Sequence, residues 1–553
     1  MNGAADIAGN LPAHLTGQLP VHLIVAPILI PLVAAAIMLL YDERRRKLKQ
    51  GIGLAACGLQ LIVAVALILH AKDSTEAVSV YLLGDWPSPY GIVLVLDRLS
   101  AVMLLLGSLV ALPALIYAGD RWHRNGQHFA PLFQCLLMGV NGAFLTGDLF
   151  NLFVFFEVML AASYGLLLHG TGRARVGAGL HYIAINLLAA MLFLLGVSLI
   201  YGVTGTLNMA DLARRVPLLS DADRPLIHAA AVLLAGAFLI KSAMWPLCFW
   251  LPNAYSAASP PVAAVFSIMT KVGVYTVIRL GLLLFGGSAG ASAGFGAEVL
   301  VAGGLATIAF GMVGVLASQD LSRMTGNLVL VSSGTLLSVV GLAIEYDSAA
   351  MLSGGLYYMF ASTLALSGLF LLVEPIGRKE GGIAGLLAVT AEAYGLDPED
   401  DMAPNDAGPV IPGATTLLGI AFVACVMVVA GLPPLPGFMG KLSMLTGAVE
   451  AAGTQPFMWG HWLFVGLLIL SGLATLIAMV RWGIQSLWAD AEEPPLPAVE
   501  ILAVMTVVAT LALLTIEAEP AIRYLDRTAE ALTQNSVYIG KVMNALPVGE
   551  GHE

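Results

Sequence analysis

The sequence predicts an all-α integral membrane protein of about 14 transmembrane helices, on three observations. Of 553 residues, 58% are hydrophobic and only 11% are charged, where a soluble chain carries about a quarter charged. Mean hydropathy is +0.87. Apolar runs of roughly 20 residues, long enough to cross a hydrocarbon core, recur along almost the whole chain. In that core each backbone N–H and C=O must find a partner within the protein, so the runs are read as helices.

In order, the predicted spans cover residues 22–41, 51–71, 93–117, 129–146, 148–169, 180–203, 226–245, 259–285, 296–317, 325–343, 351–374, 413–446, 459–486 and 498–517. Only Gly147-Asp148 separates the fourth from the fifth. The first 21 residues have no basic start followed by a small-residue cleavage site, so the first span is expected to stay in the membrane. Arg44, Arg45, Arg46, Lys47 and Lys49 make the next segment the most basic short loop, which places it in the cytoplasm. Alternate loops carry Arg121 and Arg124, Arg173 and Arg175, Arg323, and Arg378 with Lys379. The exception is Arg214, Arg215 and Arg224, in a connector that also holds Asp211, Asp221 and Asp223. Both termini are therefore expected on the outer side of the cell inner (plasma) membrane.

The net charge of −11 gathers in connecting segments, notably Glu392 to Asp406 and Asp490 to Glu493. Such runs mark solvated loops and argue against nucleic acid as a partner. Cys57, Cys135, Cys248 and Cys425 stand singly in apolar stretches without metal-ligand spacing, so buried free thiols are expected, and no metal or cofactor.

Two spans are interrupted by proline. The seventh runs into Lys241-Ser242-Ala243-Met244-Trp245-Pro246, and the twelfth contains Gly431-Leu432-Pro433-Pro434-Leu435-Pro436-Gly437 just before Lys441. Proline removes a backbone donor and clashes with the preceding turn. Irregular backbone at membrane depth survives only where protein or a water-filled cavity surrounds it. Paired broken helices in two halves point to a transporter site, the halves being spans four to eight and nine to thirteen. The chain then divides into residues 1–128, 129–285, 286–486 and 487–553.

Glu157, Lys241 and Lys441 are ionisable residues inside otherwise apolar stretches. A charge near a helix centre costs about 2.5–3.5 kcal/mol, whereas a Leu or Val returns only about 0.3–0.6 kcal/mol. Stability does not explain keeping them; ion traffic does. Asp148 and Glu157 fall on opposite helix faces about 13.5 Å apart, which excludes a catalytic carboxylate pair and leaves Asp148 suited to a helix start. Ser267, Lys271 and Tyr275 share one face at i, i+4 and i+8, a stripe suited to a wet internal surface. Ser332, Ser333, Thr335, Tyr358 and Ser362 add hydroxyls that can help hold a chain of waters. Sodium or potassium needs several hard oxygen ligands in close array, and no such cluster stands out inside the spans.

A family resemblance rests on three segments. Lys241, Pro246, Trp250-Leu251-Pro252, Ala254-Tyr255, Ala258, Pro260-Pro261 and Ala264, followed by Lys271-Val272-Gly273-Val274-Tyr275, resemble the central signature of the antiporter-like membrane subunits shared by respiratory complex I and Mrp-type cation/proton antiporters. Asp320-Leu321-Ser322-Arg323, leading to Ser332-Ser333, resembles the family's connector before the tenth helix, with Ser322 where a basic residue is frequent. The run from Asp148 through Glu157 to Leu160, ending Ser163-Tyr164-Gly165 and His169-Gly170, resembles the D subunit of the Mrp group. The resemblance implies fourteen helices with two inverted five-helix repeats, helices 4–8 and 9–13, containing broken helices 7 and 12.

It also implies proton translocation through Glu157 of helix 5, Lys241 of helix 7, Lys271 of helix 8 and Lys441 of helix 12. Where many relatives place a Lys or His in the eleventh helix, this chain has Tyr357, Tyr358, Ser362 and Thr363. The implied role is that of a secondary transporter subunit exchanging Na+ or K+ for protons in pH and cation homeostasis. Its expected partners are other integral membrane subunits and lipid. The alternative is a proton-pumping membrane subunit of a complex I-like or hydrogenase-type redox complex.

Overall fold

A computed structural model describes residues 22–73, 78–119, 122, 126, 128–170, 172–377, 413–454, 459–487 and 497–547. The acidic segments Glu392 to Asp406 and Asp490 to Glu493, the basic residues Arg121, Arg124, Arg378 and Lys379, and the N-terminal 21 residues lie outside these.

Each predicted span is helical. They correspond to α1 (Ala26–Leu39), α2 (Arg46–Asp73), α3 (Arg98–Ala118), α4 (Phe129–Leu145), α5 (Leu149–Leu167) and α6 (Arg173–Thr204). After a connector helix α7 (Met209–Arg215) come α8 (Arg224–Lys241), a short α9 (Trp250–Ala257), α10 (Pro260–Phe285), α11 (Ala297–Ala317), α12 (Leu321–Tyr346) and α13 (Ala349–Gly377). The chain continues with α14 (Ala414–Ala430), α15 (Pro436–Thr454), α16 (Trp459–Leu487) and α17 (Ala498–Ile516). Among the described residues, 11 helices are long and apolar enough to cross a membrane, and three shorter apolar helices, in α1, α4 and α14, complete the set.

Three boundaries differ from the sequence reading. The third span begins at Arg98, because Val93–Asp97 forms a strand, β2, antiparallel to β1 (Val78–Leu82). Asp97 ends the strand by capping α3: its side chain accepts from Ser100 N, and Ser100 Oγ accepts from Asp97 N. The seventh span stops at Lys241, and the twelfth is two helices, α14 and α15. Beyond the last span two more helices, α18 (Ala518–Thr533) and α19 (Ser536–Met543), fold back on the bundle. Leu525, Thr528, Ala529 and Leu532 form the buried face of α18.

The connectors sort into two ends. At one end Leu94 bridges Thr146, Asp148 bridges Asn208, Ser353 Oγ donates to Asp526 Oδ1 at 2.5 Å and Asn535 Nδ2 donates to the Leu282 carbonyl at 2.8 Å. At the other, Glu43 pairs with Lys49 and His128, His169 bonds the Trp122 carbonyl, Arg175 donates to the Ala257 carbonyl and Arg323 to Asn253 Oδ1. The described loops alternate between these ends, so each apolar helix they join, the broken ones counted once, crosses the bundle once.

The core lies along α10, α12 and α13, whose residues are almost all buried. Outer helices keep an apolar face exposed; on α6 it runs through Leu180, Leu187, Met191 and Leu195, the stripe lipid or a partner helix covers. One buried ion pair ties the core to the loop end: Arg279 of α10 donates to both Asp97 oxygens at 2.5 and 2.8 Å, its guanidinium 5.5 Å from the Tyr275 ring centre and 5.2 Å from that of Tyr538.

Candidate functional site

Lys241 closes α8, and the backbone is irregular from Ser242 to Phe249 before α9 resumes. Neighbours satisfy the freed groups: Trp245 N donates to Thr307 Oγ1 at 2.8 Å, and Trp250 Nε1 donates to the Ile240 carbonyl at 3.2 Å. That is the condition under which a broken helix persists at membrane depth. Lys241 is buried, and its Nζ donates to Asn186 Oδ1 of α6 at 2.8 Å while standing 5.9 Å from the Phe156 ring centre. Asn186 is oriented by its own Nδ2, which donates to the Tyr182 carbonyl. Glu157 of α5 is half-buried and follows Phe156, whose ring Lys241 faces; no direct ion pair joins Glu157 to Lys241.

Lys271 sits in the middle of α10 with no exposed surface. Its Nζ donates to Ser332 Oγ at 2.9 Å and to Ser333 Oγ at 3.4 Å, both on α12. Ser332 Oγ in turn lies 3.0 Å from Ser362 Oγ of α13. One turn before Ser362, Tyr358 has its hydroxyl against the Ser332 and Thr335 side chains. The Tyr358 ring centre is 5.9 Å from Lys441 Nζ. Lys441, in the first turns of α15, donates to the carbonyls of Val429 and Ala430 at 3.1 and 2.9 Å. These are the last carbonyls of α14, whose negative dipole end favours a cation.

Lys271, Ser332, Ser333 and Ser362 thus form one hydrogen-bonded cluster across α10, α12 and α13, and the Tyr358 ring stands between it and Lys441 of α15. Among the described residues no hydrogen bond joins Lys241 to Lys271. The two are linked by packing: a Cβ on Gly273 would fall 2.8 Å from Ser242 N. The second half repeats the device, since a Cβ on Gly472 of α16 would fall 2.6 Å from the Ala430 carbonyl oxygen. Each broken helix therefore has a glycine of the following span pressed against its break.

Asp148 caps α5 as its position predicts, accepting from Phe150 N and Asn151 N. Tyr275 leaves the stripe expected with Ser267 and Lys271: its hydroxyl donates to the Phe144 carbonyl at 2.7 Å and receives Arg279 at 3.4 Å, which assigns it to the Asp97 cluster. Sequence reasoning missed Asn186, Gly472 and the carbonyl cradle of Lys441, and gave Gly273 no role although it stands in the segment that carries the resemblance. Asn186 was findable as a lone amide in an apolar run; Gly472, one glycine among 60, was not.

Buried lysines beside two helix breaks, with a third in the unbroken α10, define an antiporter-like membrane subunit, and comparison with known proteins agrees. The family model described as NADH:quinone oxidoreductase/Mrp antiporter, TM, matches residues 146–462, and the chain belongs to this family. It is 51% identical over 536 residues to the D subunit of a probable K(+)/H(+) antiporter of Rhizobium meliloti (strain 1021), covering 96% of this chain and 98% of that one. Identity is 31% over 530 residues with the D subunit of the Na(+)/H(+) antiporter of Alkalihalophilus pseudofirmus, covering 94% and 99%. A chain in the Mrp complex from Dietzia sp. DQ12-45-1b superposes with a TM-score of 0.79 at 26% identity, covering 94% of this chain and 99% of that chain.

Proposed function

We propose that this chain is the D-type subunit of a multisubunit monovalent cation/proton antiporter and supplies a proton path through Glu157, Lys241, Lys271 and Lys441. It works as a secondary transporter subunit, not as an enzyme, alongside other integral membrane subunits. It sits in the plasma membrane with the Arg44–Lys49 segment inside and the loop end carrying α18 and α19 outside. Residues 129–285 and 286–486 act as the two repeats. The similarity to the D subunit of a K(+)/H(+) antiporter makes potassium the first cation to test and sodium the second.

One observation carries the reading. Each of the three buried ammonium groups is held by neutral acceptors, an amide, two hydroxyls or two carbonyls. A lysine so held can lose its proton without stranding a paired carboxylate, and Glu157 supplies the nearby charge that biases the first of them. Desolvation favours the neutral amine, a carboxylate favours the cation, and the balance makes a carrier.

The test is the complete assembly in proteoliposomes carrying a pH-sensitive dye, with no electron donor. Adding K+ or Na+ is expected to trigger proton movement, and Lys241→Ala or Glu157→Ala to abolish it while the assembly still forms. Undiminished exchange in both variants rejects the assignment. Proton movement that requires an electron donor supports the redox-pump reading instead.

A further inference from the structure

His461 lies in the first turn of α16, is 1% exposed, and has no hydrogen-bond partner on either ring nitrogen among the described residues. Buried polar groups are almost always paired, so an orphaned imidazole calls for an explanation. Its surroundings supply one. The ring centre is 4.4 Å from that of Tyr346, the last residue of α12. The Tyr346 hydroxyl donates to Glu345 Oε1 at 3.0 Å, so the ring that packs on the imidazole also holds the Glu345 carboxylate. Glu345 and Tyr346 are half-buried and Glu298, beside Tyr346, is exposed, so the groups form steps from water to a buried ring.

The helices packed against α16 carry few other charges. Glu450, near the C-terminal end of α15 and so at the same end of the bundle as His461, is exposed, and Lys441 is level with Gly472, about 16 Å further along α16 at 1.5 Å per residue. Cys425 of α14 is a buried thiol packed beside Gly368. On α12 itself, Thr335, Ser338 and Glu345 recur at i, i+3 and i+10 and share one side of the helix. Thr335 touches Tyr358, beside the central cluster. That side of α12 therefore carries hydroxyls beside the central cluster and a carboxylate at the end of the bundle where His461 sits.

We propose that His461 is a proton-exchange station between the interior path and the water at this end, with Glu345 as its surface-side partner. The proposal rests on the proton-path reading above and names where that path meets solvent. A proton arriving from the lysine side binds one ring nitrogen. The imidazolium then releases the proton on its other nitrogen through an intervening water to the Glu345 carboxylate, which passes it to bulk water. The ring is left neutral in the opposite tautomer, and rotation resets it. Histidine suits this step because its ordinary pKa lies near neutrality and its two nitrogens can serve opposite sides.

The test uses the complete assembly in proteoliposomes, with pH varied separately on each face. His461→Phe keeps a ring against Tyr346 but cannot carry a proton. It is expected to slow cation-dependent exchange about 100-fold, the low end for loss of a positioned acid–base group, with assembly unchanged. Glu345→Gln is expected to shift the pH dependence measured on the Glu345 face and to leave that of the opposite face in place. Wild-type rate and profile in His461→Phe overturn the proposal. If that variant does not assemble, Glu345→Gln decides: a one-sided shift supports the station and an unchanged profile overturns it. Absence of exchange in the wild-type assembly overturns the function itself and this inference with it, an outcome distinct from exchange that merely survives loss of His461.

Discussion

Lys241 Nζ is hydrogen-bonded to Asn186 Oδ1 at 2.8 Å, so a neutral amide on α6, and not Glu157, makes the direct contact to the first buried ammonium. Asn186→Asp places a carboxylate at that contact and holds the proton more tightly. Cation-dependent exchange should fall, and its pH profile should move alkaline by about one unit, the lower end for an opposite charge at contact distance. Asn186→Leu removes the acceptor and should move the profile toward acid. Dye-reported exchange across a pH series checks both.

The glycines at the two breaks should tolerate no side chain. Gly273→Ala and Gly472→Ala force a Cβ to within 2.8 and 2.6 Å of backbone atoms, an overpacking that costs about 1–3 kcal/mol. Gly236→Ala is the control: its Cβ meets only Leu192, at 3.6 Å, and Ala gains up to about 1 kcal/mol over Gly in a helix. Melting temperatures of the purified assembly should fall for the first two and hold or rise for the third.

Arg279→Met should destabilise the protein by about 3–5 kcal/mol, because it leaves the Asp97 carboxylate buried without its partner. Adding Asp97→Asn to Arg279→Met removes the stranded charge and should recover part of the loss, while the amide oxygen can still accept from Ser100 N. Unfolding of the two single variants and the double variant measures the coupling.

Asp211, on the connector α7, has a fully buried side chain paired with Arg214 and Arg215. Burial pushes its carboxyl upward, but the hydrogen bond and charge of Arg215, with help from Thr206 and Arg214, hold it below the ordinary carboxylate value. A depressed folded pKa contributes stability above the unfolded value, about 3.9, and loses it as pH falls through the folded value. The difference in melting temperature between wild type and Asp211→Asn should therefore be full near neutrality and shrink below about pH 4. A difference that grows on acidification contradicts the assignment.

The fold was legible because lipid leaves so few choices: Leu, Val and Ala runs of bilayer length had to be helices, and Pro246 and Pro433 had to break two of them. Glu157, Lys241 and Lys441 stood out as candidates because charge is costly in such runs, and Lys271 through its helix face and the family segment. Their partners were not. Asn186 lies 55 positions from Lys241, and Ser332 lies 61 from Lys271; only tertiary packing brings such groups together. The carbonyls of Val429 and Ala430 have no side-chain signature at all. Val93–Asp97 was read as the start of a helix because an apolar strand of that length looks the same in composition, and Asp97 decided the matter as a cap.

The two C-terminal helices grip the bundle at one end. Asn535 and Tyr538 hold α10 through Leu282 and Arg279, and Asp526 holds α13 through Ser353. This strap fastens helices of both repeats to one another at that end. If one repeat rocks against the other, the ends near Arg175, Asn253 and Arg323 must swing furthest, and shortening the chain before α18 would release the strap while leaving all four buried charges in place.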